Sequence, residues 1–121
     1  MEININCDLG EKSVHHSNKN DPDLLAIVNS ASVACGYHAG DDQTMSEVVQ
    51  ISKKHGVSIG AHPSFKDLEN FGRKRMNLSE SEIKKLIIEQ YEVLQKIAGG
   101  HGEKVTHIKP HGALNNMACE D

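Results

Sequence analysis

Alternating apolar and polar positions predict four β-strands along this chain. In Glu2–Asp8 every second residue is apolar, which places Ile3, Ile5 and Cys7 on one face of a strand. The opposite face carries Asn4, Asn6 and Asp8. Three further segments have the same period of two: Ala31–Gly36, Val57–His62 and Val105–Lys109.

Helical signals fill the intervals between these strands. One helix is predicted to begin at Asp21-Pro22, with Asp21 as its N-cap, and a second to open at Gly40-Asp41-Asp42 and end at His55-Gly56. After a long loop over 63–78, Ser79 and Glu82 form a capping box for a third helix that ends at Gly99-Gly100. A fourth begins at Ala113. The apolar positions expected to pack are Leu24, Leu25, Ile27 and Val28, then Met45, Val48 and Val49, then Ile83, Leu86, Ile87, Val93, Leu94 and Ile97.

The resulting order, βαβαβαβ plus the start of a helix, is typical of an α/β protein with a parallel sheet. Each strand has one apolar face and one small or polar face, whereas a flavodoxin-like doubly wound sheet buries both faces in apolar residues. The pattern therefore favours a TIM-like (β/α) barrel, with helices outside and a polar mouth inside. Four strands make only about half of a barrel of eight. We expect the chain to be part of a longer protein, or to be completed by a second copy or another chain.

Composition narrows the class of protein. The net charge is −4, and no basic stripe with interleaved aromatics is present, which argues against a nucleic-acid surface. No segment has the pattern of a signal peptide or a membrane span. The three cysteines, Cys7, Cys35 and Cys119, are widely spaced, as expected for reduced thiols in a cytoplasmic protein.

Candidate chemistry is concentrated where the predicted strands end. Because loops after parallel strands open onto one crevice, residues distant in sequence converge there. Taken singly, each of these residues has an ordinary structural interpretation, but histidines at three successive strand ends favour a functional site. The candidates are Asp8, Glu11, His38, Asp41, His62, Lys109 and His111, with Asn6 on the inner strand face and Arg73 in the long loop. We assign no catalytic role to the remaining loop and helix-end histidines, His15, His16, His55 and His101.

Five short motifs carry a more specific signal. They are N-x-D-L-G-E from Asn6, A-C-G-Y-H-A-G-D from Ala34, G-A-H-P from Gly60, F-G-R from Phe71 and K-P-H-G-A-L from Lys109. In this order and spacing they resemble the LamB/YcsF family, the A subunits of bacterial ATP-dependent 5-oxoprolinase. Residues 1–121 resemble the N-terminal half of such a domain, because family members are about twice as long.

The resemblance implies a barrel of the glycoside hydrolase/deacetylase type that opens the 5-oxoproline lactam to glutamate, with ATP as co-substrate and two partner subunits. A lactam is a poor electrophile, so such a site needs a base for water, cations for phosphate charge and a proton donor for the leaving nitrogen. We assign Asp8 or Glu11 as the base and His38 and His62 to proton transfer or metal ligation, while His111 could serve either that duty or anion binding. Anion or substrate binding is assigned to Lys109, Arg73, Asp41 and Asn6. No P-loop motif is present, so the partners are expected to hold most of the ATP.

Two other interpretations remain open. Acidic and histidine ligands at barrel strand ends also suit a metal-dependent amide or carbohydrate deacetylase, for which Asp8, His38 and His62 are the candidate ligands of a divalent metal. The second alternative is a truncated half-barrel that is inert or only binds.

Overall fold

A computed structural model describes residues 3–14 and 16–120, so the predicted strand start at Glu2 and the position of His15 lie outside the described residues. Strands and helices alternate along this part of the chain. In order, they are β1 (Asn6–Leu9), α1 (Asp21–Leu25), β2 (Ser30–Ala34), α2 (Asp42–His55), β3 (Ser58–His62), α3 (Glu80–Gly100), β4 (Val105–Ile108) and α4 (Gly112–Glu120).

The four strands that the described residues form make one parallel sheet, in the order β1-β2-β3-β4. Each strand pairs with its neighbour in sequence and the order never reverses, as in a barrel wall and unlike a doubly wound sheet. The predicted α/β half-barrel architecture is confirmed. Its register aligns Asp8, Ser32, Gly60 and His107 across the inner face.

The apolar face of the sheet packs on the helices. Ala31, Val33, Ile59 and Ala61 are at most 1% exposed and belong to one core with residues of α1, α2 and α3. A second cluster, around Phe65 and Leu86, lies beneath the long loop and α4. The loop that follows β3 is therefore fixed to the body of the domain by its own apolar contacts.

Two helix boundaries agree with their sequence signals. Asp41 caps α2 by accepting a hydrogen bond from Thr44 N at 2.7 Å, and Gly56 ends that helix in the left-handed region. Ser79 accepts from Glu82 N at the start of α3.

The first helix differs from its prediction. Asn20, not Asp21, occupies the N-cap position, and α1 ends at Leu25. Asp21 instead turns its buried carboxylate toward Gly10 N, at 2.8 Å. Ile27 lies beyond the helix end, so the helical period no longer applies to it, and its side chain is 70% exposed.

Three more apolar positions are exposed against expectation. Ile3 and Ile5 precede β1, which begins only at Asn6, and lie outside the core. Val93 is 40% exposed because the buried stripe of α3 runs at intervals of four through Leu86, Gln90, Leu94 and Ala98. Among the helices of the described ranges, none is both long enough and apolar enough to cross a membrane.

Candidate active site

Acidic and basic side chains converge at the carboxyl end of the sheet. Asp8 lies near the end of β1 and Glu11 just beyond it, and His38 follows β2. His62 is the last residue of β3, while Lys109 and His111 follow β4. The strand-end convergence expected from the sequence is thus present in the structure.

Four of these residues form a compact group, which we call the tetrad: Glu11, His38, His62 and His111. One donor atom from each lies within 4.8 Å of the other three. Glu11 Oε2 is 2.7 Å from His38 Nε2, 3.6 Å from His111 Nδ1 and 3.9 Å from His62 Nε2. Since all three imidazoles are buried and Glu11 is half-buried, the group is largely shielded from water.

Backbone carbonyls hold two of the rings. His62 Nδ1 lies 2.6 Å from Lys109 O, and His111 Nε2 lies 2.8 Å from Phe71 O. A carbonyl can only accept, so each of these ring nitrogens carries the proton that it donates. The other nitrogen of each ring faces the tetrad.

Contacts between aromatic rings fix the orientation of the third imidazole, that of His38. His38 stacks on His111 with ring centroids 3.8 Å apart, and the Phe71 ring meets both of them edge-on. His16 in turn stacks on Phe71, with centroids 4.1 Å apart. The motif around Phe71 thus forms a wall of the site.

Burial sets the charges of the tetrad. It lowers the pKa of His38 to about 4, and it also lowers the pKa of His62 and His111 below the ordinary value. The same loss of solvation raises the pKa of Glu11. Near neutral pH the three imidazoles are therefore neutral, and each can donate one N–H and accept a hydrogen bond at its other nitrogen.

Charged residues border this buried group. Lys109 Nζ donates to Asp8 Oδ1 at 2.9 Å, while Asp8 Oδ2 is 3.5 Å from His62 Nε2. The Arg73 guanidinium lies over the Phe71 ring, 5.1 Å from its centroid, and its charge adds to the lowering of the His38 pKa that burial causes. Both cations therefore lie at the rim of the tetrad.

Two proposed site residues have structural contacts instead. Asn6 Oδ1 accepts a hydrogen bond from Ser32 Oγ at 3.0 Å, two residues before Asp8 on β1. Asp41 caps α2. The structure does not join either side chain to the tetrad.

The sequence does not predict the structural roles of Phe71 and Asp21. Phe71 has φ of 54° without being glycine, and this left-handed backbone carries the carbonyl that accepts from His111. Its only sequence signal was membership of the F-G-R motif. The buried acceptor role of Asp21 had no signal, because an Asp-Pro pair is also typical of a helix start.

Comparisons with known proteins give a consistent result. The sequence profile of the LamB/YcsF family matches residues 3–121. Proteins named as A subunits of 5-oxoprolinase, from Staphylococcus carnosus and Nitrobacter hamburgensis, are 44% and 49% identical to the whole chain, which covers 48% of each. The crystal structure of a lactam utilization protein from Thermus thermophilus superposes with a TM-score of 0.92 at 39% identity, over 98% of this chain and 48% of that one. The chain thus spans about half the length of the relatives that it matches.

Proposed function

The chain belongs to the LamB/YcsF family, and from this premise we propose that it supplies one wall of the active site of an ATP-dependent 5-oxoprolinase. The observation that carries the proposal is the tetrad itself. It places a carboxyl group and three imidazoles at the strand ends of a chain that is 44–49% identical to proteins named as subunits of such an enzyme.

In the proposed reaction, water adds to the lactam carbonyl carbon and the carbon–nitrogen bond breaks, giving glutamate. ATP drives the step by transferring its terminal phosphoryl group to the amide oxygen, which makes the carbon electrophilic. The phosphate leaves as the carboxylate forms. ADP and inorganic phosphate are the other products.

Asp8 is the proposed base for the attacking water. Its carboxylate is about one-third exposed and so reaches the open side of the site, where Lys109 fixes one oxygen. Removal of a proton by a positioned carboxylate typically contributes a factor of about 10²–10⁴ to the rate.

His62 is the proposed donor to the departing nitrogen. Its Nε2 lies 3.5 Å from Asp8 Oδ2, which allows a proton taken from water to pass to the ring and then to the amine. Lys109 and Arg73 are the proposed contacts for phosphate or substrate carboxylate oxygens.

Partners complete the proposed enzyme. The relatives are named as one subunit of an enzyme, and we propose that other subunits hold ATP and that the second half of the barrel comes from chain beyond this half or from a second copy. The reaction is therefore expected from the assembled complex.

The experiment is reconstitution with the partner subunits, measuring 5-oxoproline-dependent release of phosphate and glutamate. Asp8→Asn and His62→Gln should each lower kcat by about 10²–10⁴. His55→Gln, at an exposed position on α2, is the matched control and should leave the rate unchanged. Full activity in the Asp8 and His62 variants would refute the assignment.

A metal-dependent amide hydrolase is the second candidate, favoured by the convergence of four donor atoms in the tetrad. Amide hydrolysis that needs an added divalent metal, and proceeds without ATP, would select this candidate over the first.

A further inference from the structure

The proton positions in the tetrad leave one close contact without a proton to share. His62 donates its Nδ1–H to Lys109 O, and His111 donates its Nε2–H to Phe71 O. In the neutral rings, His62 Nε2 and His111 Nδ1 are then both bare lone pairs. They face each other at 3.0 Å, so no hydrogen bond joins them without an added positive charge.

A carboxylate oxygen completes the set of acceptors. Glu11 Oε2 lies 3.6 Å from His111 Nδ1 and 3.9 Å from His62 Nε2. A single proton bridges two of these atoms at most, whereas a metal ion accepts lone pairs from all three.

The size of this triangle matches a metal. Metal–ligand bonds of about 2.0–2.2 Å in a tetrahedral site separate the ligand atoms by about 3.3–3.6 Å. The three edges observed, 3.0, 3.6 and 3.9 Å, bracket that range. Two imidazoles and one carboxylate leave the fourth position open, as catalytic metal sites do.

His38 has a separate role in this arrangement. Its Nε2 is 2.7 Å from Glu11 Oε2, while its buried Nδ1 has no hydrogen-bond partner among the described residues. A bare Nδ1 costs less there than an unpaired N–H, so we place the proton on Nε2, where it is donated to Glu11. This bond orients the carboxylate, as residues behind metal ligands commonly do.

We propose that Glu11, His62 and His111 bind a divalent first-row transition metal such as Zn²⁺. His38 is the positioning residue, because it orients the Glu11 carboxylate. Mixed nitrogen and oxygen donors of this kind suit Zn²⁺ and Co²⁺. The inference goes beyond the proposed lactam reaction, because metal binding is measured with neither lactam nor ATP present. His62 Nε2 passes protons in the proposed lactam reaction only when no metal occupies it, so the two proposals describe metal-free and metal-loaded protein and are tested by separate measurements.

The test is titration of the chelator-treated 121-residue chain with Co²⁺ near neutral pH, followed by displacement with Zn²⁺. One Co²⁺ should bind per chain with visible ligand-field absorption, and Zn²⁺ should abolish the absorption. Glu11→Gln and His62→Gln should each weaken binding by at least about 100-fold, and His38→Ala by about 10–100-fold. His55→Gln should bind as the wild type does, and circular dichroism confirms that each variant is folded.

Histidine nitrogen NMR on the metal-free wild type gives a second measurement that needs no variant. Protonated Nδ1 on His62 and protonated Nε2 on His111, with their other nitrogens bare, are expected, and those bare nitrogens should shift when Zn²⁺ is added. Bare nitrogens of His62 and His111 whose resonances do not move when Zn²⁺ is added would overturn the proposal. Absence of Co²⁺ binding by the folded wild type, or equal binding by the Glu11, His62 and His55 variants, would overturn it as well.

Discussion

At the residue scale, the site depends on backbone positions that only certain residues tolerate. Phe71 and Gly72 both have positive φ, of 54° and 69°, and together they bring one carbonyl to His111 and another to Ala113 N. A strained non-glycine residue at such a point commonly marks a functional constraint. Here the constraint is the orientation of an imidazole.

Gly72→Ala should destabilise the fold severely. A Cβ at Gly72 would overlap Ser64 Oγ and lie 2.9 Å from His38 Cβ, in addition to the backbone strain of φ +69°. Gly56→Ala is the matched control, because Gly56 has nearly the same φ, +67°, with no heavy atom within 4 Å of its built Cβ. We expect the control to cost about 1–2 kcal/mol in urea unfolding, and Gly72→Ala to cost clearly more. Equal losses would show that the packing around Gly72 is not tight.

Asp21 predicts a specific pH dependence. Burial raises the pKa of this carboxyl group above its unfolded value, so its ionisation weakens folding as pH rises from about 4 through the folded pKa. Asp21→Asn lacks this penalty, and its stability relative to wild type should therefore improve between pH 4 and pH 7.

Urea unfolding at the two pH values measures the difference. Asp21→Ala, which leaves Gly10 N without its acceptor, should be less stable than Asp21→Asn at both. A stability difference between wild type and Asp21→Asn that does not change with pH would contradict this account of the buried carboxylate.

The sequence predicts which residues lie at the site better than it predicts the contacts that these residues make. Period-two strands and the rule that strand ends share one crevice were enough to group Glu11, His38, His62 and His111. The αL backbone of Phe71 and the Asp21–Gly10 contact were not predictable, since both depend on long-range packing rather than on local propensity. For the same reason the sequence predicts Asp41, acidic and close to His38, in the site, whereas in the structure its carboxylate caps α2.

At the element scale, α3 anchors the loop that leaves β3. Gln90 is 1% exposed, accepts from Ser64 N at 3.0 Å and donates to Ser64 O at 2.8 Å. The residue before Ser64, Pro63, offers its carbonyl to His111 N at 2.8 Å. α3 therefore helps to fix the segment that follows His62 and that accepts a hydrogen bond from His111 N.

Gln90→Leu should lower the free energy of unfolding by about 2–3 kcal/mol, because it leaves a buried N–H and a buried C=O of Ser64 unpaired. Gln43→Leu, at an exposed position of α2, is the control and should change stability by no more than about 0.5 kcal/mol. Urea denaturation followed by circular dichroism provides both values. If the Gln90 variant is as stable as the control variant, Gln90 does not anchor the loop that follows β3.

Helix boundaries can be predicted where a capping residue defines them locally. Which apolar positions of a helix are buried cannot be predicted in the same way, because that depends on tertiary packing. The Asp41 and Ser79 caps and the Gly56 terminus follow from residue chemistry alone. The exposure of Ile27 follows from the early end of α1, and that of Val93 from the direction in which α3 faces the sheet. Apolar character alone cannot distinguish such positions from core positions.

At the scale of the whole molecule, four parallel strands present one row of acidic, histidine and lysine side chains at their carboxyl ends. Within the described residues β1 and β4 are the edges of the sheet, and Ile108 on β4 is 48% exposed. The apolar pattern predicted a barrel wall from sequence. No local pattern in residues 1–121 indicates what would close that wall.

The central claim is that Asp8 and His62 act in one site, and a double-mutant cycle on the reconstituted enzyme tests it most directly. The cycle compares kcat/KM for 5-oxoproline in the wild type, Asp8→Asn, His62→Gln and the double variant. Groups that work as a unit are strongly non-additive, so the double variant should be no more than about tenfold slower than the slower single variant. Two losses that simply multiply would contradict the account, because they would show that the two residues act independently.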